Sequence, residues 1–301
     1  MTEMRKLTLT VTREQAGSRV KTLLRREFHM ADSLIARVKL RETGLLLNGR
    51  RVYTNAVVQT GDVLTAEVGD DATGWEFPPI RAPLDIVFED ADLLILNKAA
   101  GMAVHGKTER TGEATVANAL AYRFGPGYRF HPVNRLDKGT SGLMAVAKSG
   151  YIHDRLRRAL HSAAFHRQYL AVVEGIVVPQ KGTIALPIQR DPSSPIKRSV
   201  APDGQPACTH YETVRTENGM TLLRVILETG RTHQIRLHCA AVGHPLVGDW
   251  LYGTAAPERI ARPALHSALL ELVHPITGKQ LRYSVPMPED MAALMAKHFD
   301  D

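Results

Sequence analysis

The chain has 301 residues, about twice the ~150 of one typical domain, and its 44% hydrophobic and 23% charged residues exclude both a single small module and a disordered chain. Thirty-eight Lys and Arg against 31 Asp and Glu give a net charge of +7 and a pI near 9.5, the balance of a protein whose partner carries phosphate. No run approaches the roughly 18 uncharged apolar residues of a membrane span, Met1 to Lys6 lacks a signal peptide's apolar core, and two cysteines are too few for a disulfide framework, so no membrane partner and a cytoplasmic location are expected.

The stretch from Arg19 to Arg51 carries nine basic and three acidic residues. Val20, Leu23, Leu24 and Phe28 fall on one helical face, which leaves Arg25 and Arg26 to project outward. Ser33 is expected to cap a second short helix containing Leu34, Ile35 and Val38. Leu45 to Val52 then reads as strand, Asn48-Gly49 turn and strand, and Gly61-Asp62 marks a turn before the strand-like Val63 to Val68. Two short basic helices and a small hairpin sheet resemble the RNA-binding domain named after the fourth protein of the small ribosomal subunit. The resemblance implies RNA contacts from Arg25, Arg26, Arg37 and Arg51; the alternative is an ordinary solvated basic face.

Residues 1–70 are therefore expected to form a small RNA-binding domain. Residues 71–83, rich in Asp, Gly and Pro and without periodicity, read as a flexible linker, and residues 84–301 as a second domain. There, strand-like runs (Asp85 to Phe88, Leu93 to Asn97, Leu143 to Ala147, Tyr169 to Val173, Leu222 to Leu227) mix with helix-like ones (Thr115 to Phe124, Ile152 to His161, Gln234 to Ala241). They lack regular βαβ spacing, which predicts an α+β fold.

The densest polar cluster runs from His131 to Gly142 and feeds directly into the apolar run Leu143 to Ala147. Asp137 in it is a carboxylate on a tight loop at a strand end, held yet reachable; alternatively it only caps the Gly139-Thr140 turn. Asn134-Arg135-Leu136-Asp137-Lys138-Gly139-Thr140-Ser141-Gly142 is similar to the signature loop of the RluA family of pseudouridine synthases. Four further blocks follow in the family's order: Leu96 to His105, His166 to Gly175, Thr229 to His238, and Gly243 to Asp249 leading to Tyr252-Gly253. The family often has His at the position of Asn134 and usually Pro at that of Ala99.

The resemblance implies a largely antiparallel, pseudouridine-synthase-like mixed sheet and an isomerase that acts on RNA without cofactor or metal. Such an enzyme breaks the N1–C1′ bond of a uridine, turns the base and rejoins it through C5. Asp137 falls on the catalytic aspartate, Arg236 on its guanidinium partner, able to grip both carboxylate oxygens, and Tyr169 on the ring that lies against the uracil. Composition alone favours Tyr169 as a strand tyrosine half-buried in the core. Arg135, Arg231 and His233 are expected at the substrate, with Arg135 filling the gap in the RNA stack or binding phosphate and Arg231 serving structure or phosphate. Ribosomal RNA of the large subunit is the expected substrate, with transfer RNA the alternative. Two other readings compete: a non-catalytic RNA-binding or ribosome-assembly protein on the same scaffold, and a glycosidase using Glu174 or Asp249 as second carboxylate. His233, His238 and Cys239 lack the spacing of zinc ligands, so no metal is expected, and Cys208 and Cys239 read as small core hydrophobes.

Overall fold

The computed structural model describes residues 4–70, 73–106, 112–160, 162 and 164–299. The amino-terminal lobe is a four-stranded antiparallel sheet in the order β1-β4-β2-β3 (β1 Arg5–Thr10, β2 Leu45–Leu47, β3 Arg50–Arg51, β4 Val63–Val68), with helices α1 (Val20–Arg26) and α2 (Asp32–Val38). Asn48 and Gly49 take φ of 51° and 77°, the pair of positive values that a two-residue hairpin requires. The Asn48 side chain accepts from Val63 N and donates to Asp62, so one turn is locked to the next. Ser33 does not cap α2, which begins one residue earlier; Asp32 occupies the first turn and pairs with Arg25 and Lys21 of α1.

The second lobe is built on a long mixed sheet in the order β10-β13-β14-β9-β15-β8-β6-β5. Its strands are β5 (Asp85–Glu89), β6 (Leu93–Lys98), β8 (Ser141–Ala147), β9 (Phe165–Glu174), β10 (Lys181–Ile184), β13 (Thr209–Glu217), β14 (Met220–Leu227) and β15 (Leu265–Val273). β7 (His131–Pro132) pairs with β8, β16 (Gln280–Ser284) with β15, and β11 (Ile188–Arg190) with β12 (Arg198–Val200). Every pairing is antiparallel except that of β15 with β8. Helices α3 (Val116–Phe124), α4 (Gly150–Ala159), α5 (Gln234–Ala241) and α6 (Glu289–Phe299) complete the α+β fold; His161, expected at the end of α4, lies outside the described residues.

The unbroken apolar runs of β6 and β8 are explained by burial on both faces. Leu93, Ile95, Leu143, Ala145 and Ala147 enter one core with α4 and the amino-terminal lobe, while Leu94, Leu96, Met144 and Val146 enter another with α3 and α5. The first lobe is thus seated on the sheet. Tyr151 donates to Phe28 O at 2.9 Å, Arg5 meets Asp92 at 2.6 Å, and Asp70 receives His131 at 2.7 Å and Gly150 N at 3.3 Å. Burial opposes ionisation of Asp70, but its bond to His131 prevails and lowers its pKa.

Residues 73–83 contain no element, yet they do not form the flexible tether expected of them. Gly74 O accepts from Gly127 N, Glu76 from Phe130 N and Pro78 O from the Asn118 side chain, and Phe77 stands edge-on to Phe130 at 6.0 Å. A Pro- and Gly-rich composition precludes a helix or strand; it does not preclude docking.

Gly142 takes φ of +106°, where β8 meets β15, and a Cβ there would lie 2.2 Å from Ser267 O. Gly142→Ala is expected to lower unfolding free energy by about 3 kcal/mol or more, measured by chemical denaturation.

Candidate active site

Asp137 owes its position to a hairpin that folds back on itself. β7 pairs with the far end of β8, Val133 N donates to Ala145 O at 2.9 Å, and the Asn134 side chain accepts from Ala145 N at 2.8 Å. The turn closes through the backbone of Asp137, whose carbonyl accepts from Thr140 N at 3.0 Å. Its carboxylate therefore does not cap the turn and is left to face outward. Lys138 O accepts from Gly101 N and from the buried Lys98, which also donates to Ala99 O and Met102 O at 2.8 Å. Burial, with a smaller contribution from Arg262, brings Lys98 down to about 7. On the other side Gly139 O accepts from Arg262, which Asp290 holds at 2.5 and 2.7 Å. The loop is clamped from both flanks, so the carboxylate is fixed without using its own oxygens.

Opposite stands α5. Gln234, in its first turn, accepts from Arg231 N and Thr229 and donates to Cys208 O and Thr209. Arg236, one helical step further, is 5% exposed. Its Nη1 lies 3.5 Å from Asp137 Oδ2, but its two-point grip goes elsewhere: Nε to Asp249 Oδ2 at 2.8 Å and Nη2 to Asp249 Oδ1 at 2.7 Å. The expectation that Arg236 holds both oxygens of Asp137 is corrected accordingly. Asp249 is fully buried and also accepts from Leu251 N and Tyr252 N. Burial works against the Arg236 cation, yet Asp249 outweighs it and raises the pKa. The ring of Tyr252, 5.3 Å from the guanidinium carbon, covers it further.

Tyr252 also orders His233, a residue in the left-handed conformation at the start of α5. Arg198 N donates to the Tyr252 hydroxyl at 2.8 Å, and the same hydroxyl is hydrogen-bonded to His233 Nδ1 at 3.0 Å. The other ring nitrogen, Nε2, faces Asp137 Oδ1 at 3.9 Å. Burial lowers the pKa of His233, partly countered by Asp137, so the ring is neutral at neutral pH.

Asp137, Tyr169, Arg135, Arg231, His233 and Arg236 all line one cavity of about 600 Å³. Tyr169 is nearly fully buried, Asp137 is a quarter exposed at its side chain, and Arg135 stands exposed. Arg25, Arg26, Arg37 and Arg51 lie on the amino-terminal lobe, all exposed; Arg25 is paired with Asp32, and Arg37 stands near Gly150 and Asp70. The sequence reading missed Asp249 as the holder of Arg236, and Tyr252, Arg198 and Arg167 as parts of the site. The acidic end of the Gly243 to Asp249 block was the available signal. Cys208 is not a core hydrophobe: it is half-buried beside His210, which pairs with Glu228 at 2.6 Å. Cys239 is buried, its thiol pushed up to about 12 by desolvation, and His238 bonds Thr209 and Leu186 O. Among the described residues, Cys208, His210 and Glu228, and separately Asp90, Asp92 and His274, have the donor types and proximity to hold a metal. Neither group lines the cavity.

A family model described as RNA pseudouridylate synthase matches residues 92–241, which include both flanks of this cavity. The RNA pseudouridine synthase YjbO of Bacillus subtilis strain 168 is 37% identical over 272 residues, 89% of this chain and 95% of that protein. The ribosomal large subunit pseudouridine synthase D of Escherichia coli K12 is 36% identical over 316 aligned positions, 98% of this chain and 95% of that protein. The chain belongs to the RNA pseudouridylate synthase family. A solved structure of human RNA pseudouridylate synthase domain containing 1 shares the fold with a TM-score of 0.56 and 26% identity, covering 70% of this chain and 86% of that one.

As an RNA pseudouridine synthase of the RluA type, it is an isomerase. The glycosidase alternative lacks its second carboxylate: Asp137 is the only acidic residue among the described ones lining the cavity, Asp249 is committed to Arg236, and Glu174 pairs with Arg259. Because burial lowers the pKa of His233, any acid limb it causes in the rate at saturating RNA should lie below its ordinary value of 6.5, and His233→Gln should leave the profile above that pH unchanged. A limb near pH 6.5 that vanishes in the variant would contradict this.

Proposed function

We propose that this synthase converts uridines of large-subunit ribosomal RNA to pseudouridine, with Asp137 as the carboxylate acting at the ribose, Arg236 as the cation beside it and Tyr169 lying against the uracil. The observation that carries the reading is one lone carboxylate on a clamped loop, 3.5 Å from a buried guanidinium, in a cavity that also holds a buried tyrosine ring. A carboxylate that bound substrate screens from water needs a cation beside it. Arg236 supplies that cation, and the Asp249 carboxylate prevents it from turning fully onto Asp137 and closing off both of its oxygens.

The isomerisation removes one proton at C5 and supplies one at N1, with no net change in oxidation state, so the cavity's own side chains suffice and no cofactor enters the reading. Arg135 at the exposed rim, Arg231 and His233 are assigned to substrate. Residues 1–70 are assigned to RNA binding through Arg26, Arg51 and, at the lobe junction, Arg37, with Arg25 partly neutralised by Asp32. The choice of ribosomal RNA rests on the large-subunit synthase of Escherichia coli matching along nearly the whole chain. A cytoplasmic site of action fits that substrate, and no helix among the described residues is long and apolar enough to cross a membrane.

Tritium release from RNA labelled at uridine C5 tests the reading. Wild-type protein should release tritium from unmodified large-subunit ribosomal RNA, and Asp137→Asn should be slower by roughly 10³-fold or more. Release from transfer RNA alone would overturn the substrate assignment, and RNA binding without release would favour the non-catalytic scaffold.

A further inference from the structure

Arg167 lies on β9 two residues before Tyr169, so the two side chains leave the same face of the strand and both line the cavity. Only 4% of Arg167 is exposed. Its Nε and Nη2 are buried without a hydrogen-bond partner, and no ion pair within 4 Å balances its charge among the described residues. The ring centre of Phe165 lies 5.8 Å from its guanidinium carbon. The Tyr169 hydroxyl faces both Arg167 and Ser267. A buried cation with unused donors and no counter-charge costs several kcal/mol, and a fold retains it most readily where an anion arrives during function.

Two anions enter this cavity: phosphate of the RNA backbone, and any charge that develops on the base. Phosphate is strongly hydrated and is met at the rim, where Arg135 is exposed and Arg231 half-buried. Arg167 is buried and is faced by the Tyr169 hydroxyl, in a cavity that the apolar Leu160 and Leu227 also line. When the N1–C1′ bond breaks, its electron pair passes to the uracil, and the negative charge spreads over N1, O2 and O4. C5 later gives a pair to C1′, the C5 hydrogen leaves as a proton and N1 takes one up, so atoms and electrons balance without a co-reactant.

We propose that Arg167 is the counter-charge of the detached uracil, which rests on the assignment of Asp137 and Tyr169 to the reacting nucleoside. A fixed cation in a dry cavity acts where charge develops, so its effect falls on the rate with RNA bound and not on RNA affinity.

Single-turnover rates of Arg167→Met and Arg167→Lys test this, alongside wild type and Asp137→Asn, on RNA with either uridine or 5-fluorouridine at the target, read by nucleoside analysis as disappearance of the target nucleoside, because a C5 fluorine cannot leave as a proton and the fluorinated base stops once the C5–C1′ bond has formed. Arg167→Met should be slower by roughly 10²-fold at saturating RNA, with the half-saturating RNA concentration changed less than about 3-fold, and Arg167→Lys should recover about 10-fold of the loss. On 5-fluorouridine, whose more acidic base leaves more readily, the wild-type to Arg167→Met ratio should shrink by about 10-fold, since less counter-charge is required. A rise in half-saturating concentration at unchanged saturated rate would overturn the proposal in favour of a phosphate anchor. It would equally be overturned if Lys performed no better than Met in proteins of wild-type thermal stability, or if the ratio did not respond to fluorine. Asp137→Asn at wild-type rate would overturn the underlying assignment and this proposal together, whereas Asp137-dependent activity with Arg167→Met as fast as wild type would overturn this proposal alone.

Discussion

The site depends on how one buried guanidinium is divided between two carboxylates. Asp249, wholly buried, takes Nε and Nη2 of Arg236, which leaves only Nη1 for Asp137. Had Arg236 closed on Asp137 with both arms, the pair would be stable and the carboxylate occupied. With the fork committed to Asp249, Asp137 gains the field of a cation and keeps its oxygens available. Tyr252 serves the same arrangement, covering the guanidinium with its ring and orienting His233 with its hydroxyl.

The sheet holds the two halves of this arrangement together. Asp137 precedes β8, and Arg236 and Asp249 precede β15, the strand that meets β8 through the one parallel pairing, where Gly142 admits no side chain. Lys98 on β6 and Arg262 ahead of β15 grip successive carbonyls of the Asp137 loop from opposite sides. β9 adds Tyr169 and Arg167 between β14 and β15. The amino-terminal lobe and α4 cover the opposite face through a shared apolar core, so the lobe's exposed arginines are held in a fixed relation to the cavity instead of ranging on a tether.

Much of this could be read from the residues. The apolar runs of β6 and β8, the positive-φ Asn48-Gly49 turn and the polar cluster around Asp137 each carry a local physical signal, and each lies where that signal placed it. What escaped depends on contacts distant in sequence or on polar residues with ordinary local character. Asp249 and Arg236 are joined only once α5 and the following turn fold. β15 is central, yet His266 and Ser267 interrupt its apolar pattern, because they pack against Ser141 and Leu143 O of β8. Arg167 looks like any strand arginine until burial removes its water. Ser33 caps nothing because α2 already begins at Asp32, whose carboxylate pairs with the cations of α1.

A double-mutant cycle on Arg236→Gln and Asp249→Asn, read as single-turnover pseudouridine formation by folded protein, tests this division of the guanidinium most directly. If Asp249 acts through Arg236, the second substitution adds little to the first, with a coupling of about 2–3 kcal/mol. Losses that add within about 0.5 kcal/mol would mean that the two residues act independently and that Asp249 does not set the state of Asp137 through Arg236.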